Sequence, residues 1–315
     1  MTKNSIIRPA LQLGLWILAG GLIWASFRQV SFQEVFTTLQ AIQWWQYGLL
    51  IVANGLVLLF KFVRWWIILR YQQYNIPFLQ LAGIRQAAFA ISTVTPGPQF
   101  GGEPFQVWAL MRRYDVPTKQ GVASVTLDRL TELAVSFSFI VAGALVSVQY
   151  QLNISPLTLP IAGLVLMMPL AYLLGLQFNR HPISYLVRLS PRLLALVNPS
   201  EREMSRFLQQ GKNRLGVLLL ISLIGFVVQI GEYALTLMIL GVPVQLMSLI
   251  TLFTIARLSL LVPTPAALGA VESGQVLAFA TLGLNPALAV SLTILIRIRD
   301  VLLILLGLSL VGKRR

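Results

Sequence analysis

Residues 95–107 read TPGPQFGGEPFQV, and residues 264–276 read TPAALGAVESGQV. Thr95-Pro96, Glu103 and Gln106-Val107 stand at the same offsets as Thr264-Pro265, Glu272 and Gln275-Val276. Pro117 and Pro286 match as well, each fourteen residues beyond its glutamate, so every pair is 169 residues apart. Both copies interrupt strongly apolar sequence with Pro and Gly and then add a carboxylate. Such a break is costly in lipid unless its backbone lines a cavity or is buried in protein.

The flanks of each copy are apolar arms. Phe78–Val94 and Pro104–Met111 surround the first break, and the second arm is too short to cross a bilayer of about 20 helical residues. Residues 77–114 therefore read as a re-entrant helical hairpin that enters and leaves on one side. Residues 244–283 repeat the pattern, with Arg257 on the first arm. The break positions are Thr95, Pro96, Gly101 and Gly102 in one copy and Pro263, Thr264, Pro265 and Gly269 in the other.

Around the hairpins lie six apolar spans: Pro9–Phe27, a stretch ending near Tyr71, Gln120–Val148, Leu157–Phe178, Leu215–Leu240 and Asn285–Val311. The first, preceded by Lys3 and Arg8, lacks a small-x-small cleavage site and reads as a retained span rather than a signal peptide. Ser31–Ile42 repeats Phe32, Val35, Phe36, Leu39 and Ile42 at three and four, the period of an interfacial amphipathic helix. Trp44-Trp45 and Tyr47 mark an aromatic belt. The second span ends with Lys61, Arg64, Trp65-Trp66 and Arg70, read as a basic end that snorkels.

The composition agrees. Of 315 residues, 57% are hydrophobic and only 11% charged, against roughly 25% charged in soluble domains. The expected fold is all-α: a polytopic membrane protein of about six transmembrane helices plus two re-entrant helical hairpins, a single membrane domain over residues 1–315. With no cysteine, disulfides and thiolate chemistry are excluded, and the one histidine, His181, cannot build a metal site alone. Neither a metal nor a cofactor is expected.

The net charge is +14. A soluble protein so basic would suggest nucleic acid, but the charges here are sorted by segment. With the N-terminus in the cytoplasm, six crossings place residues 71–76, 112–119, 180–214 and the Lys-Arg-Arg tail inside. The outside segments, 28–43, 150–155 and 241–243, hold one Arg and one Glu. The positive-inside rule favours this orientation, with both termini cytoplasmic in the cell (inner) membrane. Residues 180–214, with seven basic residues and apolar Ile183, Leu186, Leu189, Leu193, Leu194 and Leu196, suggest interfacial helices over anionic headgroups rather than nucleic-acid binding. The hairpins then enter from opposite sides. Half one (9–150) and half two (155–312) form an inverted repeat about an axis in the membrane plane.

Six of the ten acids, Glu103, Asp128, Glu132, Glu232, Glu272 and Asp300, fall in apolar segments, as do Arg85, Arg129, Arg257, Arg297 and Arg299. A charge at mid-bilayer costs about 2.5–3.5 kcal/mol on insertion scales, so these should pair. Glu103 and Glu272 are expected to face arginines of the third and sixth spans. The bland reading is a set of structural ion pairs; the alternative is a polar cavity for a charged group at mid-membrane. Helix N-termini after each break favour an anion, and arginine holds phosphate bidentately, which makes a phosphate headgroup the natural guest.

Pro-x-x-x-x-Gly-Gly-Glu followed by Ser-x-x-x-Asp-Arg, with Pro-x-Pro-x-x-x-Gly-x-x-Glu in the second half, resembles the membrane domain of lysylphosphatidylglycerol synthases. That domain also occurs alone, as the flippase-like membrane protein family. The matching positions are Pro96, Gly101, Gly102, Glu103, Ser124, Asp128 and Arg129, then Pro263, Pro265, Gly269, Glu272 and Arg297. The sequence departs from the family pattern at Gln106, where Arg is common, and at Ala266-Ala267, where Gly-Gly or similar is usual. The resemblance implies translocation of an aminoacylated or other anionic phospholipid, or a polyprenyl-phosphate carrier, between leaflets. Members fused to a synthase carry a soluble domain; the few residues after Val311 cannot supply one, so this chain is not expected to aminoacylate lipids.

Four functions are weighed. The first is a flippase or scramblase, with the intramembrane acids and arginines named above lining the path. The absence of G-x-x-x-x-G-K-[ST] makes any movement passive or coupled to protons through Glu103, Glu272 or Glu232. The second is a secondary transporter of a small anion. The third, a lipid-phosphate enzyme, is disfavoured because no Ser/His dyad or hydrolase carboxylate pair is visible. The fourth is a membrane subunit for a separate lipid synthase. Membrane lipids with anionic headgroups are the expected partners, not nucleic acid; a second copy of the chain and a lipid synthase are further candidates.

Overall fold

The computed structural model describes residues 17, 19–24, 28, 30–94, 101–148, 158–188, 190–211, 213–262 and 264–311. Most of the expected first span, the break residues Thr95, Pro96 and Pro263, and the basic tail lie outside them. Among the described residues every long element is an α-helix and there is no strand. The helices are α1 (Phe32–Gln40), α2 (Trp44–Tyr71), α3 (Phe78–Val94), α4 (Glu103–Tyr114), α5 (Thr118–Val148), α6 (Thr158–Leu166), α7 (Met168–Gln177), α8 (Pro182–Leu186), α9 (Pro191–Gln209), α10 (Arg214–Ile239), α11 (Leu246–Ser259), α12 (Ala270–Thr281) and α13 (Pro286–Val311).

Two of these, α2 and α10, are long and apolar enough to cross a bilayer by length and composition. Helices α5 (31 residues) and α13 (26 residues) match them in length but carry internal charges. Each interrupted region is helix, break, helix: α3 stops at Val94 and α4 starts at Glu103; α11 stops at Ser259 and α12 starts at Ala270. The stretch expected as one span at Leu157–Phe178 is divided at Met167 into α6 and α7. Pro169 has no N–H to donate one turn back. The path still continues, because Met167 N–H donates to Gly163 O at 2.9 Å and Ala171 N–H to Met167 O at 3.0 Å.

The chain forms two compact units. One comprises residues 1–53, 86–102 and 230–315, the other 54–85 and 103–229. Three of the four boundaries fall inside α2, α3 and α10, and the fourth falls just before α4.

In the 54–229 unit, α5 is the central helix, contacted by α4, α6, α7 and α9. Ile68, Leu127, Leu173, Leu176, Phe207 and Leu218 are among the residues of one buried apolar cluster, and Trp65, Leu69, Leu81, Ile84 and Leu110 are among those of a second. Helix α9 lays Met204, Phe207 and Leu208 into the first cluster while Arg202 and Arg206 stay exposed. That split is the amphipathic pattern of the 180–214 segment made physical.

In the other unit, α12 packs against both α11 and α13, and α1 lies along α13 through Val35, Ala287 and Val290. Phe32 and Phe36 of α1 remain exposed, as do Ile298, Val301, Leu302, Leu305 and Leu306 of α13. Leu49, Ile51, Val52, Leu220, Leu223 and Val227 on α2 and α10 are exposed too. Apolar surface on this scale is unfavourable in water and favourable against lipid.

Candidate functional site

Each unit holds one group of paired charges built around the first turn of the helix that follows a break. In the 54–229 unit that helix is α4, whose first residue is Glu103. Its carboxylate accepts from Arg129 Nε of α5 at 2.8 Å. One turn along α5, Glu132 receives four cations: Lys61 (3.4 Å), Arg64 (3.0 Å), Arg85 (3.4 Å) and Arg129 (3.7 Å). Asp128, on the same face of α5, accepts from Arg64 Nε at 2.7 Å and from Arg85. Arg64 also donates to Ser222 Oγ of α10 at 3.1 Å.

Burial divides this group. The side chains of Arg64 and Asp128 are 4% and 3% exposed, whereas Arg129 is 30% exposed. A small cleft of about 20 Å³ lies beside them, lined by Lys61, Arg64, Glu132, Ser222 and Gln229 among others. A space of that size admits about one water.

In the other unit the corresponding helix is α12. Glu272 sits in its first turn and accepts from Arg297 Nε of α13 at 2.7 Å and from Gly269 N–H at 2.8 Å. Arg297 uses its remaining nitrogens on the break itself, donating to Ala266 O at 3.0 Å and Ala267 O at 3.2 Å. Both alanines have positive φ, 52° and 53°, where an L side chain crowds the backbone. The guanidinium thus fixes a backbone turn that its residues disfavour. Gly269 has φ +78°, and a Cβ there would meet Ala19 O at 2.5 Å, so only glycine fits. Further along α13, Arg299 donates to Glu232 of α10 at 2.9 Å and to Asp300 at 3.0 Å. Arg257 lies over the Phe253 ring, 4.8 Å from its centroid.

At the first break Gly101 and Gly102 are among the described residues. Gly102 N–H donates to Ser92 Oγ at 2.8 Å, and a Cβ on Gly102 would come within 2.1 Å of Ala88 O. Gly101, beside it, is half-buried.

The pairing expected across each break is present, Glu103 with Arg129 and Glu272 with Arg297. All six acids in apolar segments have cationic partners. The helix N-termini that the sequence offered to a phosphate already carry the chain's own glutamates, which the local dipole favours. Arg64 corrects the reading of a snorkelling basic end: it is buried and ion-paired, and Lys61 joins it at Glu132. The four-residue spacing along α2 puts Arg64 on the face of Ile68, a signal present in the sequence. Ser222 and the Tyr233–Gln275 hydrogen bond had no such signal. Glu201, inside the basic 180–214 segment, is wholly buried. It accepts from Tyr172 Oη at 2.9 Å and from the Ile183 and Ser184 N–H groups at 3.1 and 2.8 Å.

No curated protein matches the chain. Residues 11–307 match a family model described as the lysylphosphatidylglycerol synthase TM region. With the paired breaks, the glutamate–arginine contacts and the lipid-compatible apolar exterior, a match over nearly the full length identifies a membrane protein, and the chain belongs to the lysylphosphatidylglycerol synthase transmembrane-region family.

Proposed function

We propose that this chain is a flippase or scramblase of the cell membrane, moving an anionic or aminoacylated phospholipid, or a polyprenyl-phosphate carrier, between leaflets. It does so without catalysing a covalent step, and both termini are cytoplasmic. The two hairpins enter the bilayer from opposite sides, and the headgroup passes the charged groups while the acyl tails stay in lipid.

One observation carries the reading. Ion pairs that only lock helices together are best sealed, as Arg64–Asp128 is. Yet the arginine at each break stays partly open, Arg129 at 30% and Arg297 at 24%. A part-exposed guanidinium in an apolar segment calls for water or a polar guest, and a phosphate suits its planar fork. The intramembrane acids balance these cations and supply sites where a proton or an amino headgroup can be held.

The test is headgroup exchange in reconstituted vesicles, using labelled phosphatidylglycerol, lysylphosphatidylglycerol and a polyprenyl phosphate. Folded parent protein accelerates exchange of at least one. Glu103→Gln and Glu272→Gln each slow it by about tenfold or more, the scale of one charge-assisted hydrogen bond. No acceleration for any lipid, together with uptake of a small soluble anion, would replace this reading with secondary transport. Exchange seen only after a lipid synthase is added would make the chain a subunit.

A further inference from the structure

A second polar site lies in the 54–229 unit, apart from the charged group on α5. The turn between α7 and α8 contributes Asn179 and His181. Helix α9 contributes Arg202, Arg206 and Gln209 at successive turns of one face, and Gln210 follows at its end. Together they line an open cleft of about 520 Å³. That volume is within the range of about 300–1,000 Å³ typical of small-molecule sites.

The lining is basic because the nearby acids have been withdrawn from it. Glu201, one residue before Arg202, is wholly buried and spends its oxygens on the α8 backbone and Tyr172. Glu203 lies between Lys119 (3.4 Å) and Arg206 (3.0 Å), its side chain 12% exposed. No carboxylate is among the six lining residues. Arg202 is exposed and makes no hydrogen bond or ion pair among the described residues. His181 Nδ1 is buried without a partner there, a state that costs about 1–3 kcal/mol unless something satisfies it. Asn179 is occupied through its oxygen by Ser205 Oγ at 3.3 Å, which leaves its amide N–H groups to donate. The chain has therefore gathered donors and removed competing acceptors.

We propose that this cleft binds a phosphate-bearing anion, with Arg202 and Arg206 as the charged contacts and Asn179, Gln209 and Gln210 as neutral donors. Exposed Phe178, Tyr185 and Leu186 adjoin these residues along the chain. Aromatic and aliphatic surface beside arginines suits an interfacial headgroup. The site does not depend on translocation: it binds phosphate whether or not the chain moves lipid.

The experiment uses the full chain in phosphatidylcholine nanodiscs. One arm titrates inorganic phosphate, followed by phosphorus NMR line broadening. The other doses phosphatidylglycerol into the disc and follows a fluorescent label at exposed Leu186→Cys, outside the six lining residues, the parent having no cysteine. Arg202→Gln combined with Arg206→Gln weakens binding by about tenfold or more in whichever arm binds. Loss in the phosphate arm marks a soluble anion; loss in the lipid arm alone marks a headgroup. Binding unchanged in both arms, or absent from both in the parent, overturns the proposal. Arg202→Lys, which keeps the charge but not the fork, should recover part of the affinity and guards against a folding artefact.

Discussion

In one unit Glu103 meets Arg129 at 2.8 Å; in the other Glu272 meets Arg297 at 2.7 Å. Beyond that shared contact the two groups diverge. Around Glu132 four cations gather on three acids: Lys61, Arg64, Arg85 and Arg129 against Glu103, Asp128 and Glu132. In the other group Arg299 bridges Glu232 and Asp300, and Arg257 lies over the Phe253 ring. Among the described residues, the first break is backed by the Ser92 hydroxyl on Gly102 N–H and by a glycine pressed against the α3 backbone. At the second, Arg297 grips two carbonyls of a strained turn. The glutamate–arginine contact is common to both groups.

That contrast can be tested in order of size. Arg64→Leu leaves Asp128 buried with half its partners gone, and should destabilise by about 3–5 kcal/mol. Lys61→Met, at a side chain 31% exposed, should cost about 1 kcal/mol or less. Thermal unfolding in detergent reads both; equal losses would erase the distinction between sealed and open pairs.

Ala266→Gly relieves a positive φ and should stabilise by about 1 kcal/mol, visible as a raised melting temperature. The result fails to appear if the Arg297 contacts hold that turn at no backbone cost. Smallest are two hydroxyl changes. Ser92→Ala removes the acceptor for Gly102 N–H and should cost about 1 kcal/mol. Thr264→Val should be close to neutral, because the buried Thr264 Oγ1 has no partner to lose among the described residues. A larger loss at Thr264 than at Ser92 would mean that the Thr264 hydroxyl holds its break more firmly than the Ser92 hydroxyl holds the other.

Much of this arrangement could be read before any coordinates. The Thr-Pro dipeptides, the first-turn glutamates and the arginines 25 and 26 residues beyond them lie close enough along the chain for helix periodicity to bring them together. Pro169 was visible too, but its consequence for the Leu157–Phe178 stretch was passed over. Arg64 reads along the chain as a basic end because its partners lie far off, Asp128 and Glu132 at 64 and 68 residues and Ser222 at 158.

The amino-acid order alone established an all-helical chain suited to lipid, two interrupted regions of one design, and acids that had to be matched by cations. Local propensity, hydrophobic period and the cost of bare charge in an apolar setting act over a turn or two, so they can be read along the chain. Which cation serves which acid, which pairs are shut away and which stay open, and where a basic cleft loses its carboxylates emerged only from the folded arrangement. Burial and partner choice are properties of neighbours in space, and those neighbours come from distant parts of the chain.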